Sequence, residues 1–205
     1  MNVALGPLYV DAAAPDVLER FWRGAIGHDA ADALLRIVPQ RTGKVAKNRV
    51  HLDLYAHDVA PLLAAGARVL AEHLPGWVTL ADVEGNEFCA FPDPAMDPRA
   101  PARPFAVCTD SARPEELAAW WARRLGVTVE PGPDGTPRWL YGPRGWENLV
   151  WKFVRVSDER MEPNRWRWSL DGVDGPFVDP QGNDVSVAFP GSTTATGTSS
   201  TSAVD

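Results

Sequence analysis

Two segments of the chain repeat one arrangement of apolar and polar positions. DAAAPDVLERFWRGAIG, residues 11–27, matches DSARPEELAAWWARRLG, residues 110–126, without a gap. In both, the apolar residues recur on one face of a helix, and a short apolar strand comes before them. Proline near the start and glycine at the end are typical of helix termini. Each copy therefore predicts a strand followed by a helix, with Trp22 and Trp121 in the core, where aromatic stripes at helical spacing usually pack.

A second pair of matching segments carries strand-like patterns. NRVHLDL, residues 48–54, resembles NRWRWSL, residues 164–170, and the turn DVEGN at Asp82 resembles DPQGN at Asp179. The matches divide the chain into four related modules of the βαβββ type, each shortened to a different degree. A helix is predicted at residues 59–67 in the second module and none in the fourth.

The repeat predicts two related domains, residues 1–94 and 104–190, because the first two modules match the last two. The proline-rich residues 95–103 are predicted to form a linker. Residues 191–205 are almost all small and polar, which predicts a disordered tail because such residues bury too little surface to offset the entropy of ordering.

Charge and composition exclude several classes of partner. The net charge is −7 and the arginines are scattered along the chain, so no basic surface is predicted for nucleic acid. No apolar run is long enough to span a membrane, and the N-terminus lacks the features of a signal peptide, so a cytoplasmic protein is expected. Two cysteines, Cys89 and Cys108, are too few for a disulfide scaffold and are predicted to be small buried side chains.

These modules and motifs resemble the vicinal oxygen chelate superfamily, and within it the glyoxalase-like and bleomycin-resistance-like proteins. The resemblance is carried by D-x-x-x-P-x-x-L in the first module and by NRVHLDL and GWVTLADVEGNEFCAF in the second. It implies an α+β fold of two tandem glyoxalase-like domains, built from paired βαβββ modules whose curled mixed sheets form cups with helices outside. Relatives isomerise, cleave rings or sequester drugs, so the fold alone does not select a reaction.

Metal-dependent relatives hold a divalent ion in the cup with His, Gln or Glu from the first and last strands of their modules. The corresponding first-strand position in the second module is His51, and the last-strand position is Cys89, with Glu87 two residues before it. The other first-strand positions hold Ala4, Arg103 and Arg167. Because a divalent metal needs several convergent ligands, no cofactor is predicted, and a divalent metal held by His51, Glu87 and Cys89 is kept as the alternative.

Strand alternation predicts which side chains face the cup. Val50, Leu52 and Leu54 should face the helices, which leaves a polar row on the opposite face of the strand. That row is His51, Asp53 and Tyr55. A small-molecule ligand is predicted there, with His51 next to Asp53 able to serve as a general base. An equal alternative is that the row hydrogen-bonds only to itself and to water in a vestigial cup.

The tryptophans of the second domain suggest a further part of the ligand site. Trp166 and Trp168 have no helix of their own module to cover them, so they should be buried by the other domain or by a second copy in a homodimer. The alternative is a pocket walled by Trp139, Trp146 and Trp151. The complete predicted ligand-binding set is His51, Asp53, Tyr55, Glu87, Trp139, Trp151 and Arg167.

Three functions follow as hypotheses. The first is binding of a small organic molecule, with aromatic molecules among the candidates, in a cup that lacks the usual metal triad. The second is a lyase or isomerase that uses His51 as a base or metal ligand. The third is a non-catalytic structural or interaction protein whose cups are filled with side chains.

Overall fold

The computed structural model describes residues 3–73 and 76–188. Four helices lie among fourteen strands in this part of the chain. The helices are α1 (Pro15–Ile26), α2 (His28–Leu34), α3 (Ala60–Ala64) and α4 (Pro114–Leu125). The strands are β1 (Ala4–Leu5), β2 (Leu8–Ala12), β3 (Leu35–Pro39), β4 (Val50–Ala56), β5 (Arg68–His73), β6 (Trp77–Ala81), β7 (Glu87–Pro92), β8 (Arg103–Ser111), β9 (Glu130–Pro131), β10 (Pro137–Tyr141), β11 (Val150–Arg155), β12 (Trp166–Asp171), β13 (Phe177–Val178) and β14 (Asp184–Val187).

The strands form two mixed sheets. One has eight strands in the order β5-β6-β7-β4-β8-β11-β10-β9, and the other has six, in the order β13-β14-β12-β2-β3 with β1 beside β12. The α+β fold of curled, open sheets built from repeated modules is therefore confirmed. None of the described helices is long and apolar enough to cross a membrane.

The modules pair across the repeat. β4 of the second module lies antiparallel to β8 of the third, and β12 of the fourth lies antiparallel to β2 of the first. Each sheet thus takes strands from both predicted domains. This pairing covers strand edges that the separate modules would leave open to solvent. The domain boundaries at 94 and 104 stay predictions.

The core lies between the two sheets and is rich in tryptophan. Trp22 packs on Trp166 with ring centroids 5.4 Å apart, and Trp121 packs on Trp168 at 5.7 Å. All four rings are almost completely buried, which confirms Trp22 and Trp121 as core residues. Trp166 and Trp168 are therefore covered from within the chain, by the helices α1 and α4 of other modules. A homodimer is not needed to bury them and stays a prediction.

Two equivalent turns tie the helices to the sheets. Trp22 Nε1 donates a hydrogen bond to Asp82 Oδ2 at 3.2 Å, and Trp121 Nε1 donates to Asp179 Oδ2 at 3.3 Å. Asp82 and Asp179 begin the matching turns DVEGN and DPQGN. The repeat detected in the sequence therefore recurs as one hydrogen-bonded contact between helix and turn.

The second module differs from the sequence prediction. Its helix α3 is shorter than the predicted 59–67, and the strand β5 follows it where no strand was predicted. Every residue of β5 is exposed, so the alternation that marks a half-buried strand is missing there. The fourth module has no helix between β12 and β13 among the described residues, as predicted. The predicted tail, residues 191–205, lies outside the described residues.

Candidate functional site

The second module places a polar row on the concave face of the eight-stranded sheet. Val50, Leu52 and Leu54 of β4 are fully buried against the core, so His51, Asp53 and Tyr55 lie on the other face. The alternation of β4 therefore gives the orientation that the sequence predicted.

Asp53 is the centre of a cluster drawn from three strands. Its Oδ1 lies 3.5 Å from His51 Nε2, and its Oδ2 accepts hydrogen bonds from Lys152 Nζ at 2.9 Å and from Cys108 Sγ at 3.1 Å. Strand register produces the cluster, because Cys108 of β8 lies beside both His51 of β4 and Lys152 of β11. We call His51, Asp53, Cys108 and Lys152 the polar floor.

Burial and charge fix the protonation of the polar floor. Burial would raise the pKa of Asp53, but hydrogen bonding and charge from His51 and Lys152 outweigh it and lower that pKa. Burial, reinforced by the charge of Asp53, raises the pKa of the Cys108 thiol to about 12. Burial would lower the pKa of His51, yet the interactions with Cys108, Asp53 and Cys89 raise it well above its usual value. Since Cys108 is a neutral thiol at pH 7, Asp53 provides the negative charge that favours protonated His51 there.

Aromatic rings surround the ammonium group of Lys152. Its Nζ lies 4.4 Å from the ring centroid of Phe105, 5.1 Å from that of Trp139 and 5.6 Å from that of Phe91. Phe105 stacks on Tyr55 with centroids 3.9 Å apart. We call Tyr55, Phe91, Phe105 and Trp139 the aromatic wall. All four residues are partly exposed, so the aromatic wall packs on itself and still reaches solvent.

A shift in strand register aims Phe105 at Tyr55. In the pairing of β4 with β8, Asp53 lies opposite Ala106 and Leu54 lies opposite Pro104, which leaves Phe105 as the extra residue. Such a bulge redirects a side chain that regular alternation would send to the other face. The aromatic wall therefore depends on a local irregularity that a sequence pattern does not reveal.

The alternative metal triad of His51, Glu87 and Cys89 is not assembled. Glu87 binds Lys44 Nζ through Oε1 at 2.7 Å and the backbone N–H of Asn48 through Oε2 at 3.1 Å. Cys89 Sγ lies 3.7 Å from His51 Nε2. Among the described residues, the side chains that do converge are His51, Asp53 and Cys108, whose possible ligand atoms lie within 4.8 Å of one another.

The polar floor does not fit the divalent metal that the family implies. The Lys152 ammonium already occupies Asp53 Oδ2, and a cation bound to the same carboxylate would be repelled by it. The third donor, Cys108, already donates its thiol hydrogen to Asp53 Oδ2 at 3.1 Å, so it is held as a thiol and not as the thiolate that metals require. His51 and Asp53 then remain, with Cys89 Sγ 3.7 Å from His51 Nε2, but the carboxylate of Asp53 is already shared with Lys152.

Two members of the predicted ligand set lie elsewhere. Trp151 is fully buried in the core, where its Nε1 donates to Thr109 Oγ1 at 2.8 Å. It neighbours Lys152 on β11, so alternation sends the two side chains to opposite faces. Arg167 lies on the six-stranded sheet and binds Asp11 through two hydrogen bonds of 2.6 and 2.8 Å. The burial of Trp151 contradicts its assignment to a ligand surface, whereas ligand binding by Arg167, on the other sheet, stays a prediction.

The proposed pocket of Trp139, Trp146 and Trp151 does not form. Trp139 faces the cup and Trp151 faces the core, while the buried Trp146 donates its Nε1 hydrogen to Gly6 O at 2.9 Å. Of the predicted set, the concave face of the eight-stranded sheet keeps His51, Asp53, Tyr55, Glu87 and Trp139. Cys108, Lys152, Phe91 and Phe105 are the additions that the sequence did not reveal.

The described cavities lie away from the polar floor. Five cavities are described for this part of the chain, the largest of about 720 Å³ beside Leu5 and Trp146, and none of the five is lined by His51. The side chains of His51 and Lys152 nevertheless keep 17% and 12% of their exposure. A ligand would therefore meet the polar floor from above, between the rings of the aromatic wall.

Comparison with known proteins agrees with this architecture. The model of the glyoxalase-like domain family matches residues 7–91 and 106–180. The chain belongs to the glyoxalase-like domain family. No curated protein matches it in sequence.

Solved structures show the same fold at low sequence identity. Two crystal forms of point mutants of glyoxalase I from Zea mays are both 13% identical to this chain. One has a TM-score of 0.56 over 91% of this chain and 93% of its own, and the other 0.57 over 90% and 92%. At this identity, the similarity extends to the fold and not to the reaction.

Proposed function

We propose that this chain is a metal-independent member of the family that binds a small organic molecule with a planar or aromatic part. The binding surface would be the concave face of the eight-stranded sheet. The observation that supports the proposal is the Lys152 ammonium group, held by Asp53 on the polar floor and surrounded by partly exposed rings. Lys152 thus supplies a positive charge to the binding surface.

The aromatic wall suits a planar ligand. Stacked and edge-to-face ring pairs contribute about 0.5–1.5 kcal/mol each beyond the area that they bury. Tyr55 and Phe105 already adopt the stacked geometry, and Trp77, at the rim, stacks on Phe91 at 5.7 Å. Trp77 is 38% exposed, so the ring surface continues from the floor to the edge of the cup.

The indole of Trp139 offers a direct measurement. Its ring lies 5.1 Å from Lys152 Nζ, so its NMR signal should respond to a molecule that binds there. The protein would be labelled with 15N-tryptophan, the signal assigned from Trp139→Phe, and a set of small aromatic compounds added. We expect binders to shift the Trp139 signal and to leave that of Trp146 in place. If no compound shifts Trp139, or if both signals always move together, the proposal is wrong and the side-chain-filled cup of an interaction protein is favoured.

Metal content provides the second test. The purified protein, dialysed against zinc, manganese or nickel, should retain far less than one ion per chain, as measured by plasma mass spectrometry. His51→Ala should not change the retained amount. Stoichiometric metal that is lost in His51→Ala would contradict a metal-independent site.

A second candidate function, proton transfer by His51, is favoured by its contact with Asp53. A carboxylate beside an imidazole favours its protonated form, as the raised pKa of His51 indicates, so His51 would have to lose that proton before it could act as the base. A lyase or isomerase would remove a proton next to a carbonyl group. The test is deuterium exchange into the ligands found with Trp139: exchange that is lost in His51→Gln supports catalysis, and binding without exchange supports a binding protein.

A further inference from the structure

Lys152 has hydrogen-bond donors that the chain does not use. An ammonium group carries three N–H donors, and Asp53 Oδ2 is the one hydrogen-bond acceptor of Lys152 Nζ among the described residues. The three rings around Nζ attract its positive charge through their faces, but they have no lone pair that could accept a normal hydrogen bond. Two donors are thus left in a cup where only 12% of the side chain reaches solvent.

Asp53 accepts only one of the three donors of Lys152, through Oδ2. Its Oδ2 already accepts from Cys108 as well as from Lys152, and its Oδ1 faces His51. The other carboxylate of the concave face, Glu87, is engaged by Lys44 and by the backbone of Asn48. The acceptors nearest to the cup are therefore occupied, and the missing partner of Lys152 has to come from outside the chain.

A second cation lies at the rim. Arg103 is exposed, its guanidinium lies 5.1 Å from the ring centroid of Tyr55, and it forms no ion pair with any described residue. Lys44 and Glu87 neutralise each other at 2.7 Å. With Asp53 set against Lys152 and Arg103, the surface that a ligand meets carries an excess of positive charge.

We propose that the ligand is an organic oxyanion, an aromatic carboxylate, whose negative oxygen binds Lys152 while its ring stacks on the aromatic wall. This inference rests on the proposed function and adds the charge and chemical class of the molecule bound. Hydrogen bonds between two charged groups are about twice as strong as neutral ones, and partial exclusion of water strengthens them further. An uncharged ligand of the same shape would leave the Lys152 donors with a weaker acceptor.

The six-stranded sheet provides a matched control. Arg36 of β3 lies beside Tyr9 of β2, as Lys152 of β11 lies beside Cys108 of β8. Its Nη1 is bound to the backbone oxygens of Asp32 and Leu35, and it lies on the other sheet, so it is a half-buried cation at the equivalent position but away from the aromatic wall. Arg36→Met should therefore alter charge by the same amount as Lys152→Met and leave the ligand site intact.

The experiment compares acids with their amides. 2-Naphthoate and 2-naphthamide, then benzoate and benzamide, would be titrated into the labelled protein and followed at the Trp139 indole signal. We expect the acids to bind about tenfold or more tightly than the amides, the range that one charged hydrogen bond contributes. Lys152→Met should remove this preference, Lys152→Arg should retain most of it, and Arg36→Met should bind like the unaltered protein.

Each other outcome has a definite meaning. Equal binding of acids and amides overturns the inference but leaves the proposed function standing. Lys152→Met must first be shown by circular dichroism to be folded. If the folded variant still prefers acids, another cation binds the anion and the role of Lys152 is overturned. If neither acids nor amides shift Trp139 while other aromatic compounds do, the oxyanion is excluded. If nothing shifts it, the proposed function fails as well.

Discussion

Replacing Lys152 by Met should expose how strongly the polar floor depends on that ammonium. Met keeps most of the apolar stem among Phe91, Phe105 and Trp139 and removes only the charge. At 2.9 Å and an effective dielectric constant near 20, the attraction between Lys152 and Asp53 is about 6 kcal/mol before desolvation. Breaking a buried pair typically costs about 3–5 kcal/mol, because the remaining charge loses its partner.

For Lys152→Met we expect a loss in free energy of unfolding of about 2–3 kcal/mol, at or below the lower end of the usual range for a broken buried pair. The Lys152 side chain is 12% exposed, so water partly compensates, and His51 and Cys108 remain to interact with Asp53. Urea denaturation at pH 7, followed by circular dichroism and by tryptophan fluorescence, measures the loss. Lys47→Met is the control, since Lys47 pairs with Asp110 at 2.6 Å but is 52% exposed and should cost less.

A double variant tests the reasoning directly. Asp53→Asn removes the charge that Lys152→Met leaves unpaired, so the double variant should be more stable than the sum of the two single losses predicts, by about 1 kcal/mol or more. Simple additivity of the two losses would refute a stabilising pair. A loss below about 0.5 kcal/mol for Lys152→Met alone would refute it as well, because that is the usual scale of surface substitutions.

The same pair gives a pH dependence of known sign. The pKa of Asp53 is lowered in the folded protein because His51 and Lys152 outweigh its burial. Its contribution to stability is therefore complete above the unfolded-state pKa and is lost as the pH falls through the folded-state value. In Lys152→Met part of the lowering disappears, so acid unfolding should begin at a higher pH.

Three further outcomes are expected. Cys108 should react with iodoacetamide far more slowly than a free cysteine at pH 8, as measured by mass spectrometry, because its pKa is raised to about 12. Asp53→Asn should speed the reaction, since it removes one cause of the raised pKa. A fast reaction in the folded protein would show that the thiolate is present. Asp82→Ala should lower stability by about 2–3 kcal/mol in urea denaturation, since it leaves the buried Trp22 indole without an acceptor, and an unchanged midpoint would argue against this contact. Trp151→Ala should cost about 3–5 kcal/mol by the same measurement, as for large core aromatics, and a loss near zero would place the ring outside the core.

The sequence predicted the parts of the molecule that depend on local pattern. The repeated helix shows in the spacing of Leu18 and Trp22 and of Leu117 and Trp121, and all four side chains are buried as that spacing requires. The row on β4 follows from strict alternation, which a half-buried strand must obey. Local pattern failed at β5, since its fully exposed residues carry no period.

The polar floor could not be predicted in full because it depends on register between distant segments. Cys108 and Lys152 lie far along the chain from His51, and only the pairing of β4 with β8 and of β8 with β11 brings them together. The misassignment of Trp151 has the same origin. Without a register for β11, nothing in the sequence showed that Lys152 and not its tryptophan neighbour would face the cup.

The cross-pairing of modules has a consequence for how such a protein could arise. β4 with β8 and β12 with β2 are the same junction made twice, once in each sheet, because the first two modules correspond to the last two. A chain of half this length, carrying one copy of the repeat, would contain both sides of that junction and could complete it only by exchange with an identical chain. Joining two such chains end to end turns a symmetric pair into one molecule and frees its two sheets to diverge. The two sheets of this chain do differ in this way: one carries the Lys152–Asp53 pair and the other the Arg167–Asp11 pair.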